Sequence, residues 1–191
     1  MKERWCILIV LLLSFTACNS DKARNEDGQS PYAHKVSQGN PHFDLPDIQQ
    51  NGELIVLTLY GPESYFEFRG EDFGLQFMIA RQYAKSIGAS IRVDVSRDMK
   101  DLVTKLQNGE GDFVAFQIDK VDSLSSLLDY VGEKELFTFM DSLSRQRKDD
   151  SLRPRPRAAW AVRKDSPLLS ASLSQWMTTH QKEFFDYTTI R

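Results

Sequence analysis

Residues suited to metal or redox chemistry are scarce, with two cysteines and three histidines among 191 residues. A metal centre built from thiolates and imidazoles therefore has almost nothing to draw on, and no metal or cofactor is expected. Positive charge is not in excess either. The 24 Lys and Arg residues face 27 Asp and Glu, giving a formal net charge of -3 and a pI near 5.7. No global field attracts nucleic acid or anionic lipid, so no nucleic-acid partner is expected and an anionic surface would need a local basic patch. Long apolar runs are missing too: residues 5–15, apolar apart from Ser14, are too few to cross ~30 Å of hydrocarbon as a permanent helix. What remains is globular in composition, at 41% hydrophobic, 27% charged and 11% aromatic, which excludes wholesale disorder and a multi-span membrane protein. A mass of 21.9 kDa suffices for one domain with its own core or two small lobes.

Lys2 and Arg4 precede the short apolar run, the pattern of an export signal. The following Ser14-Phe15-Thr16-Ala17-Cys18 places small residues before a cysteine and resembles the lipobox of bacterial lipoproteins, with Phe15 in place of the usual aliphatic residue. That resemblance implies cleavage after residue 17 and acylation of the Cys18 sulfur and its new amine, so that the membrane becomes a partner through an N-terminal lipid anchor. Asn19, rather than aspartate, beside the lipidated cysteine points to the outer rather than the inner membrane of the cell envelope. Cys6 leaves with the signal and Cys18 is acylated, so no disulfide is available in an oxidising compartment.

Residues 18–44 carry mixed charge, scattered Gly and Pro, and no periodicity, and are expected to be a flexible tether. His34 and His42 lie there eight residues apart without supporting carboxylates or thiols, and are expected to be solvated. The folded domain is expected over residues 45–191. Residues 54–60, Leu-Ile-Val-Leu-Thr-Leu-Tyr, are too continuously apolar for a strand with one wet face, and so predict a central strand. Phe73, Phe77, Ala80, Ala84 and Ile87 mark one face of a helix ending at Gly88. Residues 91–95 alternate as a second strand, Ser96 or Asp98 caps a helix whose inward face is Met99, Leu102, Val103 and Leu106, and residues 113–116 supply a third strand. Strand, helix, strand, helix, strand with short links implies an α/β fold, a βαβαβ unit around a parallel sheet. Ligands of such sheets meet the loops at the carboxyl ends of the strands, here residues 60–66, 95–98 and 116–119.

The segments Gly52-Glu53-Leu54-Ile55-Val56, Gly61-Pro62-Glu63-Ser64-Tyr65-Phe66 and Gly74-Leu75-Gln76, with the helical stretches 80–88 and 101–112, resemble family 3 solute-binding proteins of the type 2 periplasmic binding fold. The likeness is nearest to the amino-terminal domain of the membrane-bound lytic murein transglycosylase F family in Bacteroidota. Residues 157–167 resemble the return strand into the first lobe. The resemblance implies a second lobe of roughly ninety residues, whereas only about residues 120–156 separate the outgoing and returning strands, so a truncated second lobe without the lytic domain is expected. It also implies an arginine shortly after the third strand to hold a ligand carboxylate. Residues 117–123 contain none, which argues against free amino acid binding. Glu63-Ser64 has the residue types of the transglycosylase glutamate-serine pair, but it occupies a strand-exit loop, and no catalytic role is expected.

What the carboxyl ends offer is Tyr60, Ser64, Tyr65 and Phe66 with Phe116 and Gln117, an aromatic shelf suited to a peptidoglycan fragment or small polar ligand, and equally to packing against the sheet end. Residues 124–143 are apolar enough to fold back as a short helix or hairpin. Arg153, Arg155 and Arg157 alternate with Pro154 and Pro156, an extended rod whose guanidinium groups are candidates for an anionic surface, or simply a solvated loop. Pro167 opens a terminal helix with Leu169, Leu173, Trp176 and Met177 inward and His180 near its end. Together these features describe a non-enzymatic, lipid-anchored binding or docking module; an uptake receptor for an amino acid or peptide and a truncated relic without a ligand are the alternatives. Oligomeric state is not legible. Mass spectrometry of the chain isolated from membranes is expected to show a first peptide beginning at Cys18 with lipid mass added. An intact, unmodified Cys18 peptide contradicts the anchor.

Overall fold

The computed structural model describes residues 43–189; the signal, the Cys18 lipidation site and the tether with His34 and His42 lie outside the described residues. The folded part begins earlier than the boundary expected after residue 44. Asp44 is buried and caps helix α1 (Leu45–Asn51) through the Leu45 N–H at 2.8 Å, while Asp47 reaches back to the Asp44 N–H at 2.9 Å in a capping box. The same carboxylate accepts the N–H groups of Leu168 and Leu169 at 2.9 and 2.7 Å, far along the chain. Gly52, at φ 70°, then ends α1 in the left-handed conformation.

Strand β1 (Glu53–Thr58) follows, buried along almost its whole length. A small antiparallel hairpin comes next, β2 (Phe66–Phe68) and β3 (Glu71–Phe73), where the sequence suggested only a loop. Three-residue, charge-bearing strands carry too short a pattern to be read from alternation. Phe73 consequently belongs to β3, and helix α2 (Leu75–Ser86) starts two residues later. After it come β4 (Ser90–Val95), α3 (Met99–Gln107), β5 (Phe113–Asp119), the short α4 (Asp122–Ser125), β6 (Leu128–Val131), α5 (Glu133–Arg147), a 3-10 turn (Asp150–Leu152), β7 (Ala158–Arg163), α6 (Pro167–His180), a second 3-10 turn (Gln181–Glu183) and α7 (Phe184–Thr188).

Five strands form one sheet in the order β4-β1-β5-β7-β6. Both neighbours of β1 run parallel to it, as the short crossovers require, and β7 runs against β5 and β6. The sheet is thus mostly parallel, with one antiparallel member next to an edge. Its two faces are both covered, which explains the unbroken apolar runs of β1 and β7. On one face Leu54, Val56, Phe113 and Trp160 pack with Tyr83, Phe139, Leu173 and Trp176 of the helices. On the other, Leu57, Val114 and Ile118 meet Leu102 and Leu106 of α3.

Residues 120–156 carry α4, β6, α5 and the first 3-10 turn. β6 hydrogen-bonds into the same sheet, α5 buries Leu136, Phe139, Met140 and Leu143 against the first face, and Leu152 of the 3-10 turn is 7% exposed in that core. Gly132 at φ 72° starts α5, and a Cβ there would lie 2.3 Å from Met177 Sδ, so glycine permits both the turn and the close approach of α6. Asp44→Ala removes the acceptor at the start of two helices; a loss of about 2–3 kcal/mol in urea unfolding is expected, about one cap's worth at each helix plus a buried donor left bare. Asp47→Ala touches α1 alone and is expected to cost about 1 kcal/mol or less.

Candidate functional site

The carboxyl ends of β1, β4 and β5 lie on one edge of the sheet, because the three are parallel neighbours. The exit from β1 is a tight turn: Gly61 N–H donates to Tyr65 O at 2.8 Å and Ser64 N–H to Gly61 O at 3.1 Å. Carbonyls of Glu63 and Ser64 accept the Gln76 and Phe77 N–H groups at 3.0 and 3.1 Å, satisfying the first turn of α2. The approach is so close that a Cβ on Gly74, at φ 128°, would sit 2.2 Å from Ser64 O.

The six shelf residues do not share one open surface. Tyr60 is 70% exposed, and Phe116 is half-buried. Ser64 is 2% exposed, its hydroxyl donating to Leu59 O at 2.6 Å, so it locks the turn instead of facing solvent. Tyr65 donates to Asp72 Oδ1 at 2.6 Å and meets Phe77 edge-on at 5.4 Å; burial first, then that hydrogen bond, push its phenol up to about 12. Phe66 stacks on Phe73 at 5.7 Å. Gln117 is 2% exposed, and its Nε2 has no protein partner. At the end of β4, Ser96 Oγ is likewise buried without a partner, while Asp98 caps α3 by accepting the Asp101 N–H at 2.8 Å. Native buried polar groups are nearly always satisfied, so these two atoms, at the ends of the strands either side of β1, mark places where water or a ligand supplies the missing bond.

The three alternating arginines do not project together from a rod. Arg153 pairs with Asp150 at 3.1 Å on the surface. Arg157 adopts φ 61°, and its carbonyl accepts the Lys120 N–H at 2.9 Å. Arg155 turns inward: its guanidinium donates to Gln117 O, lies 3.8 Å from Asp119 Oδ1 and stands over the Phe116 ring at 5.4 Å. Burial of Leu152 pins the segment to the core, and the strand-end carbonyl draws Arg155 down. The end of β5, which has no arginine of its own, thereby acquires one from 38 residues further along the chain.

Beside the β1 exit loop lies an open cavity of about 490 Å³, lined by Glu63, Phe66, Phe73, Leu75, Met78 and Leu152 together with Arg147, Asp149, Thr188 and Thr189. Burial raises the Glu63 carboxyl above its ordinary value of 4.5; Arg155 opposes the shift and Asp149 adds to it. Glu63 thus stands within electrostatic reach of both. Sequence reading had set Glu63 aside, since nothing in its neighbours signals that a loop carboxylate will be half-sequestered.

No family model matches the chain. Solved structures do resemble it. Domain 1 from TmArgBP in its arginine-bound form superposes with a TM-score of 0.55 at 14% identity, over 70% of this chain and 97% of that one. AbpA, an amino acid ABC transporter substrate-binding protein from Streptococcus pneumoniae bound to L-arginine, gives 0.55 at 13% identity, over 75% and 95%. The L-cystine solute receptor of Neisseria gonorrhoeae in its unliganded open conformation gives 0.57 at 13%, over 75% and 92%. The fold is that of a solute-binding-protein lobe. At such identities the likeness is one of fold, and the residues of the site stand on their own geometry. Because the Glu63 pKa is raised in the folded lobe, its protonation stabilises the fold below the unfolded value of 4.5, and this contribution is lost as pH rises through the folded value. Glu63→Gln is therefore expected to raise the melting temperature relative to the parent at pH 7, with the gain vanishing below pH 4.5. A gain that persists unchanged in acid contradicts the assignment.

Proposed function

We propose that this lobe is a non-catalytic binding module for a small polar ligand of the amino-acid class, held at the carboxyl edge of the sheet by Arg155. One observation carries this reading: a guanidinium sits on the end of β5 over the Phe116 ring, bonded to Gln117 O and 3.8 Å from Asp119 Oδ1, and giving up the Asp119 contact lets it take a ligand carboxylate in a two-pronged grip. The absence of arginine from residues 117–123 had argued against free amino acids, and Arg155 removes that objection. The fold neighbours are amino-acid-binding proteins, and one of them, domain 1 from TmArgBP, is in an arginine-bound form as a single domain. That example supports the idea that one lobe of this kind holds a ligand by itself.

In this reading α5 and the turn after it stand where a two-lobed relative of the transglycosylase F type inserts its second lobe, and the Cys18 lipid keeps the lobe at the outer membrane. A peptidoglycan stem fragment presents the same carboxylate and is a candidate ligand. Calorimetry with the twenty amino acids and a muropeptide is expected to find at least one binder in the micromolar to millimolar range, weakened about tenfold or more by Arg155→Gln, the measured scale for loss of a charged hydrogen-bond partner. A panel with no binder, or a binder indifferent to Arg155, overturns the proposal.

A further inference from the structure

The cavity beside the exit loop is continuous in chemistry with the Arg155 edge through a single residue, Glu63, which lines the cavity and interacts electrostatically with Arg155. Its apolar lining comes from three separate segments. Phe66 and Phe73 form a stacked pair on the hairpin, Leu75 and Met78 come from the first turn of α2, and Leu152 comes from the 3-10 turn after α5. Glu63, Arg147, Asp149, Thr188 and Thr189 supply the polar part of the lining. A volume of about 490 Å³ exceeds what a small side chain fills, and an underfilled apolar cavity forfeits dispersion contacts.

Resting on the proposed amino-acid reading, we infer that this cavity is the specificity pocket of the site and selects an α-amino acid with a large apolar side chain, its ammonium group facing Glu63. Four of the five apolar walls come from the hairpin and α2, and Leu152 comes from the 3-10 turn after α5, so the pocket is built within the lobe itself. Glu63 supplies the negative charge an ammonium group needs, and Asp149 beside it deepens that field. Phe66 and Phe73 suit aromatic or branched side chains, and Met78, unbranched and polarizable, adapts to either.

Calorimetry of the mature chain with L-leucine, L-methionine, L-phenylalanine, L-alanine and L-arginine, each in the parent, Met78→Trp and Arg155→Gln proteins, tests this. Leucine, methionine or phenylalanine is expected to bind at least about tenfold more tightly than alanine, the scale set by several buried methylenes. Met78→Trp, which fills the cavity, is expected to remove that advantage. Should the variant misfold, chemical-shift changes at the Met78 methyl of the parent protein on adding leucine give the same answer. If arginine or alanine binds as tightly as leucine and still depends on Arg155, or if the Met78 methyl does not respond, the pocket inference falls and the amino-acid reading stands. If no amino acid binds at all, or binding ignores Arg155, both fall.

Discussion

One buried guanidinium ties the lobe together. Arg163, at the end of β7 and 8% exposed, donates to the carbonyls of Gly111 at 2.7 Å, Phe43 at 3.2 Å and Leu106 at 3.3 Å, and to Ser166 Oγ at 3.2 Å, with Asp165 at the rim at 3.2 Å. Ser166 in turn donates to Phe43 O at 2.9 Å, next to Asp44 and its three backbone donors. A charge taken out of water is tolerable only when its hydrogen-bonding capacity is met, and here the chain's own carbonyls meet it. Because β7 is antiparallel, Arg163 lies at the amino edge of the parallel strands, where Phe113 pairs with Val162. The point where the chain enters the fold, the end of α3 and the start of α6 are thus knotted on one side. The opposite edge is left to loops.

That division leaves the carboxyl edge, where the ligand is proposed to bind, free of the packing that holds the lobe together. The first face of the sheet is closed by α5, α6 and α7, whose aromatic residues Phe139, Trp176 and Phe184 interlock. The segment after α5 is then short enough to be pinned by Leu152 and to lay Arg155 over the end of β5. An Arg–carbonyl contact is made and broken at modest cost, so the same guanidinium can exchange part of its protein contact for a ligand carboxylate. In the proposed reading, binding draws on a preformed wall and forgoes enclosure, which limits affinity more than specificity.

Much of this was legible in the chain. β1 announced itself by its unbroken apolar run, α2 and α3 by their spacing, and α6 by Pro167 and its inward Leu and Trp residues. The missing pieces are physical rather than accidental. Ser64 was read as a ligand contact, but whether a hydroxyl in a tight turn faces solvent or a carbonyl depends on turn geometry that composition does not encode. β6 has four residues within a leucine-rich stretch and is a strand only because β7 offers it an edge. Asp44 looked like tether because its partners are Leu168 and Leu169, more than a hundred residues away. Arg155 looked like part of a basic rod for the same reason: only the folded sheet brings Gln117 O beneath it.

At the centre of the account is a lobe that holds its ligand without closing over it. Small-angle scattering of the mature chain, recorded with and without saturating amounts of the tightest ligand found by calorimetry, tests that most directly. The account predicts an unchanged radius of gyration alongside a raised melting temperature, since the bound state alone gains stability. A radius that shrinks when ligand is added would reveal a second body closing on the first, and would contradict it.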